Sequence, residues 1–314
     1  MNTARQPYFI VGSVRAGTTL LRLMLDHHPR IRCFGEFEYA IDLLTDDDQW
    51  PSARDYCEYL STERRFMSNG LEAEPSQTYP EIAQSLFDQM AGRVSKPING
   101  AVVHRHFERL TRLWPDAKFI YLYRDGRDVA KSCMAMGWAG TIWHGTQFVI
   151  DAETSWQKLC QQTELSKRLE IKSEDVVVQP ESTLRQICQF LGDEFDPAML
   201  EFHRDTTYEA PDPALVDQWR RKCSSKELRL AESRIGDLLQ QRGYQLSGGP
   251  RGPVSTAEQR RLNLQNRLGR YRFAIRRYGW RLWLASWLSK RFPGTEFRER
   301  TRHRVISVDL KHLK

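Results

Sequence analysis

Tyr8-Phe9-Ile10-Val11-Gly12-Ser13-Val14-Arg15-Ala16-Gly17-Thr18-Thr19 decides how the chain begins to fold. The first four residues are a short apolar run closed by Gly12, the pattern of a buried strand. From Gly17 to His28 the apolar residues Leu20, Leu21, Met24 and Leu25 recur at helical spacing, until Pro29 stops the helix. Two glycines five positions apart, between a strand and a helix, leave backbone N–H groups free to cradle an anion. A nucleotide P-loop would follow its second glycine with Lys and then Ser/Thr. Here the Lys position holds Thr18, and the strong cation is Arg15, inside the loop. An arginine and two hydroxyls suit a 5′-phosphate whose leaving oxygen must be stabilised, more than a magnesium triphosphate. A Gly-Thr turn that merely caps a helix is the plain alternative.

A second stretch supports the first. Lys118 to Tyr123 reads as a strand, and Arg124-Asp125-Gly126 turns it into a helix from about Arg127 to Met136. Ligands of open α/β sheets bind at the carboxyl ends of strands, where Arg124 stands. Its guanidinium can fork two phosphate oxygens, and Ser132, eight residues on, adds a hydroxyl donor two turns along the helix. Asp125, Arg127 and Asp128 read more simply as helix N-terminal charges and surface ion pairs.

Further helices are expected near residues 53–67, 80–94, 106–114, 151–169, 181–192, 196–203 and 226–242, with a short strand at Ala101–Val103. Strands alternating with helices predict an α/β fold with a central parallel sheet covered on both faces. Residues 46–97 are polar and irregular, and are expected to form a helical insertion or lid over the site. Gly248-Gly249-Pro250 with Gly252-Pro253 is a linker, dividing a body over 1–250 from a basic helical extension over 251–314.

These motifs together resemble the sulfotransferases that use 3′-phosphoadenosine 5′-phosphosulfate (PAPS), and are closest to the bacterial and tyrosylprotein-type branch. The loop Gly12-x-x-Arg15-x-Gly17-Thr18-Thr19-Leu20 and the pair Arg124 and Ser132 occur in order, about 110 residues apart. Further likeness runs through Leu21 to Cys33, Gly35-Glu36, Met136 to Gly140, Trp156, Lys172 to Asp175, Pro180 to Leu184 and Pro213 to Trp219. It covers roughly residues 7–247. The resemblance implies a three-layer P-loop-like fold and in-line transfer of a sulfuryl group from PAPS to an acceptor hydroxyl or amine. Arg15, Ala16, Gly17, Thr18 and Thr19 would hold the 5′-phosphosulfate, and Arg124 and Ser132 the 3′-phosphate. No metal is implied.

Transfer of this kind needs positioning, a base, and charge stabilisation at the leaving oxygen. By resemblance Arg15 is also catalytic, and Glu36 is the base, at a Gly-Glu turn where the tyrosylprotein-type enzymes carry a glutamate. Glu38 is its near competitor. Many relatives have a catalytic lysine between the two motifs, and none is cleanly placed here. His104 could act as a second acid/base group, and Arg105 could supply the charge; a structural histidine is the plain alternative. Ser173 stands where relatives often carry Tyr. Phe37, Tyr39, Trp138, Trp143 and His144 could line an aromatic or sugar-binding cleft, or belong to cores. The acceptor is left open among peptide tyrosine, carbohydrate, lipid and small metabolite.

Composition separates body from tail. The 314 residues carry a net charge of +7, but residues 251–314 hold 17 Lys+Arg against 4 Asp+Glu, so the rest is slightly acidic. The Arg270–Phe292 run, rich in Arg and Trp, could lie on an anionic membrane surface, pack on the body, or pair with a second copy. Nucleic acid is disfavoured, since the acidic body offers no broad basic face. Six scattered cysteines without a Cys-x-x-Cys pair, an N-terminus lacking a secretory pattern, and no run long enough to span a bilayer point to a cytoplasmic protein, peripheral to a membrane at most. The competing classes are a P-loop kinase or NTPase, for which the loop lysine is missing, and a non-catalytic protein that binds anionic surfaces through its tail.

Overall fold

Strand β1 (Tyr8–Val11) is buried at every residue, as an apolar run between two neighbouring strands must be. The computed structural model describes residues 6–46, 49–249, 252–289, 291 and 296–310. Among these, β1 is the middle of a five-stranded sheet completed by β2 (Ile31–Glu36), β3 (Ile98–Val103), β4 (Lys118–Tyr123) and β5 (Arg168–Lys172), in the order β2-β3-β1-β4-β5. All four pairings are parallel. The helices in chain order are α1 (Thr18–Asp26), α2 (Ala53–Thr62), α3 (Arg64–Asn69), α4 (Tyr79–Ala91), α5 (Leu110–Leu113), α6 (Gly126–Ala135), α7 (Ile142–Gly145), α8 (Gln147–Gln162), α9 (Ser173–Val178) and α10 (Pro180–Leu191). The last four are α11 (Trp219–Lys222), α12 (Ser225–Gln241), α13 (Thr256–Ser289) and α14 (Glu296–Leu310). The chain forms two compact units, one of residues 1–125 and 148–218, the other of 126–147 and 219–314.

The first unit holds the sheet between two helical layers, and the alternation of side chains along each strand sorts its two cores. Phe9, Val11, Val103, Phe119 and Tyr121 face one side, packed with Ile82, Leu86 and Phe87 of α4 and Trp156 of α8. Tyr8, Ile10, Val102, Ile120 and Leu122 face the other, with Leu21, Met24 and Leu25 of α1 and Leu184 and Ile187 of α10. This is the expected three-layer α/β architecture. Because every strand runs the same way, β1, β2, β3 and β4 deliver Gly12, Glu36, His104 and Arg124 to one edge. The strand order also reverses at β1, the place where open α/β sheets bind ligands.

Two strands escape the sequence pattern. The sequence reading puts Glu36 at a Gly-Glu turn and assigns no strand to Ile31–Glu36, and Arg168–Lys172 begins at the end of the helix expected near 151–169. Both are edge strands paired on one side only, so neither needs a continuous apolar run, and Arg168-Leu169-Glu170-Ile171-Lys172 alternates charged and apolar residues instead. Glu36 is therefore the last residue of a strand, beyond a register shift between Cys33 and Glu36. The helix expected over 196–203 is two short 3₁₀ turns. In the 46–97 stretch α2 and α4 bury Tyr56, Leu60, Tyr79 and Met90 in the first core. Helix α3 buries no residue fully; Asp47 and Asp48 lie outside the described residues.

In the second unit a small core of Ala130, Ile142, Leu230, Ala231 and Leu262 joins α6, α7, α12 and α13. Arg127 corrects its surface reading. Its side chain is 1% exposed, pairs with Glu232 at 2.7 Å, donates to the Gln245 carbonyl at 2.8 Å and stacks on Trp219 with the guanidinium carbon 3.5 Å from the ring centre. Asp128 accepts the Trp219 backbone N–H at 2.6 Å. The first half of α13 packs on the chain's own 137–146 segment. Asn266 accepts the Gly140 N–H at 2.6 Å, and Asn263 meets His144 Nε2 at 3.0 Å. A β-carbon on Gly140 would sit 2.3 Å from the Asn266 carbonyl oxygen, so only glycine permits this approach. The helix breaks at Gly279 (φ 77°, ψ 154°). Beyond it Trp280, Leu284 and Trp287 are exposed. Pro250 of the linker, and Lys290 and Phe292 of the tail, lie outside the described residues.

Candidate active site

The loop between β1 and α1 lies directly on β4. A β-carbon on Gly12 would meet the Leu122 carbonyl oxygen at 2.2 Å, so a side chain there would lift the loop off the sheet. Ala16 N–H bonds the Ser13 carbonyl at 3.2 Å to close the turn. Arg15 (φ 66°) and Gly17 (φ 97°) take left-handed conformations, and Gly17 is the N-cap of α1. A β-carbon on Gly17 would also lie 2.7 Å from Ser173 Oγ. The turn thus places the first amides of α1 at the sheet edge, with Thr18 buried behind them and Arg15 and Thr19 exposed. These features fit an anionic 5′-phosphosulfate, since the loop presents N–H groups, hydroxyls and a guanidinium with no carboxylate of its own. Arg124, just past β4, donates to the Arg15 carbonyl at 3.4 Å and to the Leu215 carbonyl at 3.2 Å, so the strand-end arginine reaches the loop.

Beside the loop Glu36 and His104 come together from the ends of β2 and β3. His104 is buried. Its Nδ1 lies 3.2 Å from the Gly12 carbonyl oxygen, and its Nε2 lies 3.5 Å from Thr18 Oγ1 and 3.6 Å from Glu36. The Glu36 carboxylate also pairs with Arg65 of α3, and Arg65 bonds Glu38 at 3.0 Å. Glu38 is buried and accepts the His104 backbone N–H at 3.1 Å. This chain of contacts explains the protonation of both central groups. Burial opposes ionisation of Glu36, but the His104 hydrogen bond and the charges of Arg65, His104 and Arg105 outweigh it and hold the carboxyl below its usual range. Burial likewise opposes the imidazolium of His104. The Glu36 bond, the Glu38 and Glu36 charges and the Gly12 carbonyl outweigh it and raise its pKa.

A cavity of about 340 Å³ opens against this pair, bounded by Thr18, Thr19 and Arg22 of α1, Glu36, His104 and α3. Of the expected site residues, the structure brings Thr18, Glu36 and His104 into direct contact, and joins Arg124 to Arg15. Ser132 stands in the second unit, half-buried on α6. Arg105 is committed elsewhere: it forks both oxygens of Asp42 at 2.8 and 2.7 Å. Phe37 and Tyr39 are core residues, 1% exposed, and line no cleft. Sequence reasoning missed Arg65 and Arg22. Arg65 sits in a short polar helix with no periodic signal. Arg22 had one, since it follows Thr18 and Thr19 by four and three positions and so shares their helix face.

Residues 7–197 match the family model described as "Sulfotransferase family", and the chain belongs to that family. It is 26% identical over 206 residues to Protein-tyrosine sulfotransferase A of Caenorhabditis elegans, covering 62% of this chain and 52% of the relative. It is also 26% identical over 196 residues to Protein-tyrosine sulfotransferase 2 of Gallus gallus, covering 59% and 50%. The chain spans about half the length of these curated relatives. Among solved structures, the sulfotransferase domain from the curacin biosynthetic pathway matches with a TM-score of 0.57 at 19% identity, over 77% of this chain and 99% of that one. That likeness is one of fold. It agrees with the three layers described above.

Proposed function

We propose that the chain transfers a sulfuryl group from PAPS to an acceptor hydroxyl, with Glu36 as general base. The observation that carries this reading is the placement of the Glu36–His104 pair against Thr18, at the mouth of a lysine-free anion loop. When bound, PAPS supplies the sulfuryl group; the amides of Ala16–Thr19, the two threonine hydroxyls and Arg15 would hold its 5′ end. Arg124 would hold the 3′-phosphate, and Ser132 is assigned the matching hydroxyl on its motif position alone.

Glu36, ionised and partly exposed, accepts the acceptor's proton. His104 in its cationic form donates Nδ1–H to the Gly12 carbonyl and aims Nε2–H between Glu36 and Thr18. That places a positive charge beside the reacting centre, the role left open by the missing lysine. Arg65, bridging Glu36 and buried Glu38, fixes where the base points. A kinase or NTPase reading lacks the loop lysine that would meet a γ-phosphate, its position being Thr18. Incubation with ³⁵S-labelled PAPS and a panel of hydroxyl and amine acceptors tests the proposal. Acceptor-dependent transfer supports it, and ATP-dependent phosphorylation without sulfuryl transfer overturns it.

We further propose a cytoplasmic setting, supported by six free cysteines of which three are buried. Among the described residues no helix is long and apolar enough to cross a membrane. For the region beyond Gly279, the exposed Trp280 and Trp287 beside Arg281 and Arg291 are consistent with docking on an anionic membrane surface.

A further inference from the structure

We infer that the acceptor is a small polar alcohol bearing an anionic group, a carboxylate or phosphate, and that Arg22 receives that group. The inference rests on the sulfuryl-transfer reading of the site and names its substrate class. It starts from the chemistry of the cavity wall. Past the loop, the 340 Å³ space is bounded by Arg22, Glu36, Arg65, Ser68, Asn69 and His104, with Val102 the one large apolar side chain and no Phe, Tyr or Trp among the described residues that line it. An apolar or aromatic acceptor entering here would strip water from guanidinium, amide and hydroxyl groups without replacing their hydrogen bonds, a costly exchange. A polar acceptor of limited size replaces them.

The arginines of this wall are not equivalent. Arg65 already pairs with Glu36 and Glu38. Arg22 is half-buried and makes no hydrogen bond or ion pair among the described residues. A partly enclosed guanidinium gains most from a carboxylate or phosphate, which it can fork with two parallel hydrogen bonds. The phosphosulfate has its own donors in Arg15, the loop amides and the two threonine hydroxyls. Arg22 stands one helical turn further along α1, on the face it shares with Thr18 and Thr19. An acceptor anchored there by its anionic end would leave its hydroxyl free to reach Glu36 across the cavity. A neutral alcohol would leave that guanidinium partly enclosed and unpaired, which favours the anionic acceptor over it.

The test uses the full chain saturated with adenosine 3′,5′-bisphosphate, titrated with two matched pairs: glycolate against ethylene glycol, and glycerol 3-phosphate against glycerol. Binding is followed by calorimetry and by the side-chain ¹⁵N resonance of Arg22. The expected result is saturable binding of at least one anionic member, tenfold or more tighter than its neutral match. Arg22→Gln should abolish that preference and Arg22→Lys should restore part of it. Equal binding of both members of each pair, no binding of either anionic compound, or an anionic preference unchanged in Arg22→Gln would overturn the inference. So would a loss of bisphosphate affinity in Arg22→Gln as large as the loss for the anionic alcohol, which would move Arg22 to the cosubstrate. If the bisphosphate does not bind the unaltered chain at all, the sulfuryl-transfer reading fails first, and the inference falls with it.

Discussion

Replacing Glu36 by Gln removes one charge and almost no volume, which makes it the sharpest probe of the site. The amide can still accept from Arg65, so the end of β2 and its contact with α3 should survive. What disappears is the basic oxygen and half of the Glu36–His104 pair, now 3.6 Å apart. Loss of a positioned general base costs about 10²–10⁴ in rate, which is about 3–5 kcal/mol of barrier at about 1.4 kcal/mol per tenfold. Bisphosphate affinity should stay within about threefold of the unaltered protein, because Glu36 does not touch the loop amides. The substitution also has a second, independent readout. Glu36 raises the pKa of His104, so Glu36→Gln should move the His104 titration to lower pH, visible by NMR of the imidazole. For the unaltered chain the directions of the two shifts set the expected pH profile. Glu36, depressed, contributes stability above the ordinary carboxylate range and loses it as pH falls through its lowered pKa. His104, raised, contributes fully below its ordinary value and loses that contribution as pH rises through its elevated pKa. Because the proposed mechanism needs Glu36 ionised and His104 cationic, activity should hold between the two, with an alkaline limb as His104 loses its proton. Turnover of Glu36→Gln within about tenfold of the unaltered chain, or an unmoved His104 titration, would refute the reasoning.

Arg124→Ala should weaken binding of adenosine 3′,5′-bisphosphate far more than that of a 5′-monophosphate, by the worth of about two charge-assisted hydrogen bonds, about 3–5 kcal/mol; equal losses in calorimetry would refute its 3′-phosphate role. Gly17→Ala should lose cosubstrate binding and about 1–3 kcal/mol of stability, because its left-handed φ is strained for alanine and Ser173 Oγ blocks the new carbon; an unchanged melting temperature would argue against it. Glu232→Ala should destabilise the protein by about 3–5 kcal/mol by stranding the Arg127 charge in a site that is 1% exposed; a thermal melt near that of the unaltered chain would show the pair to be dispensable. Gly140→Val should detach the first half of α13 from the 137–146 segment and speed proteolysis within residues 252–289, while a protection pattern like the parent's would show the contact to be slack.

Much of the site was legible before folding is considered, because its chemistry is local in sequence. The loop Gly12–Thr19 needs its two glycines for backbone reasons that any chain would share, and Arg124 follows an unmistakable buried strand. Edge strands were not legible, since β2 and β5 pair on one side and carry no continuous apolar run. Arg127 was misread for the opposite reason. A charged residue at a helix start looks solvated until Glu232 and Trp219, about a hundred residues downstream, are seen to enclose it.

The sequence by itself determined the anion loop, the missing loop lysine and the charge of the tail, since each depends only on residue type and short-range spacing; Glu36 was singled out as a base through resemblance to a family. Tertiary structure alone decided that Arg65 and Glu38 hold Glu36 and His104 in one hydrogen-bonded chain, and that Arg105 is committed to Asp42. It also left Arg22 without a carboxylate partner among the described residues. Those outcomes depend on which strands become neighbours. A parallel sheet sets residues 36 and 104 side by side only after β3 has been inserted between β1 and β2, an ordering no local pattern encodes.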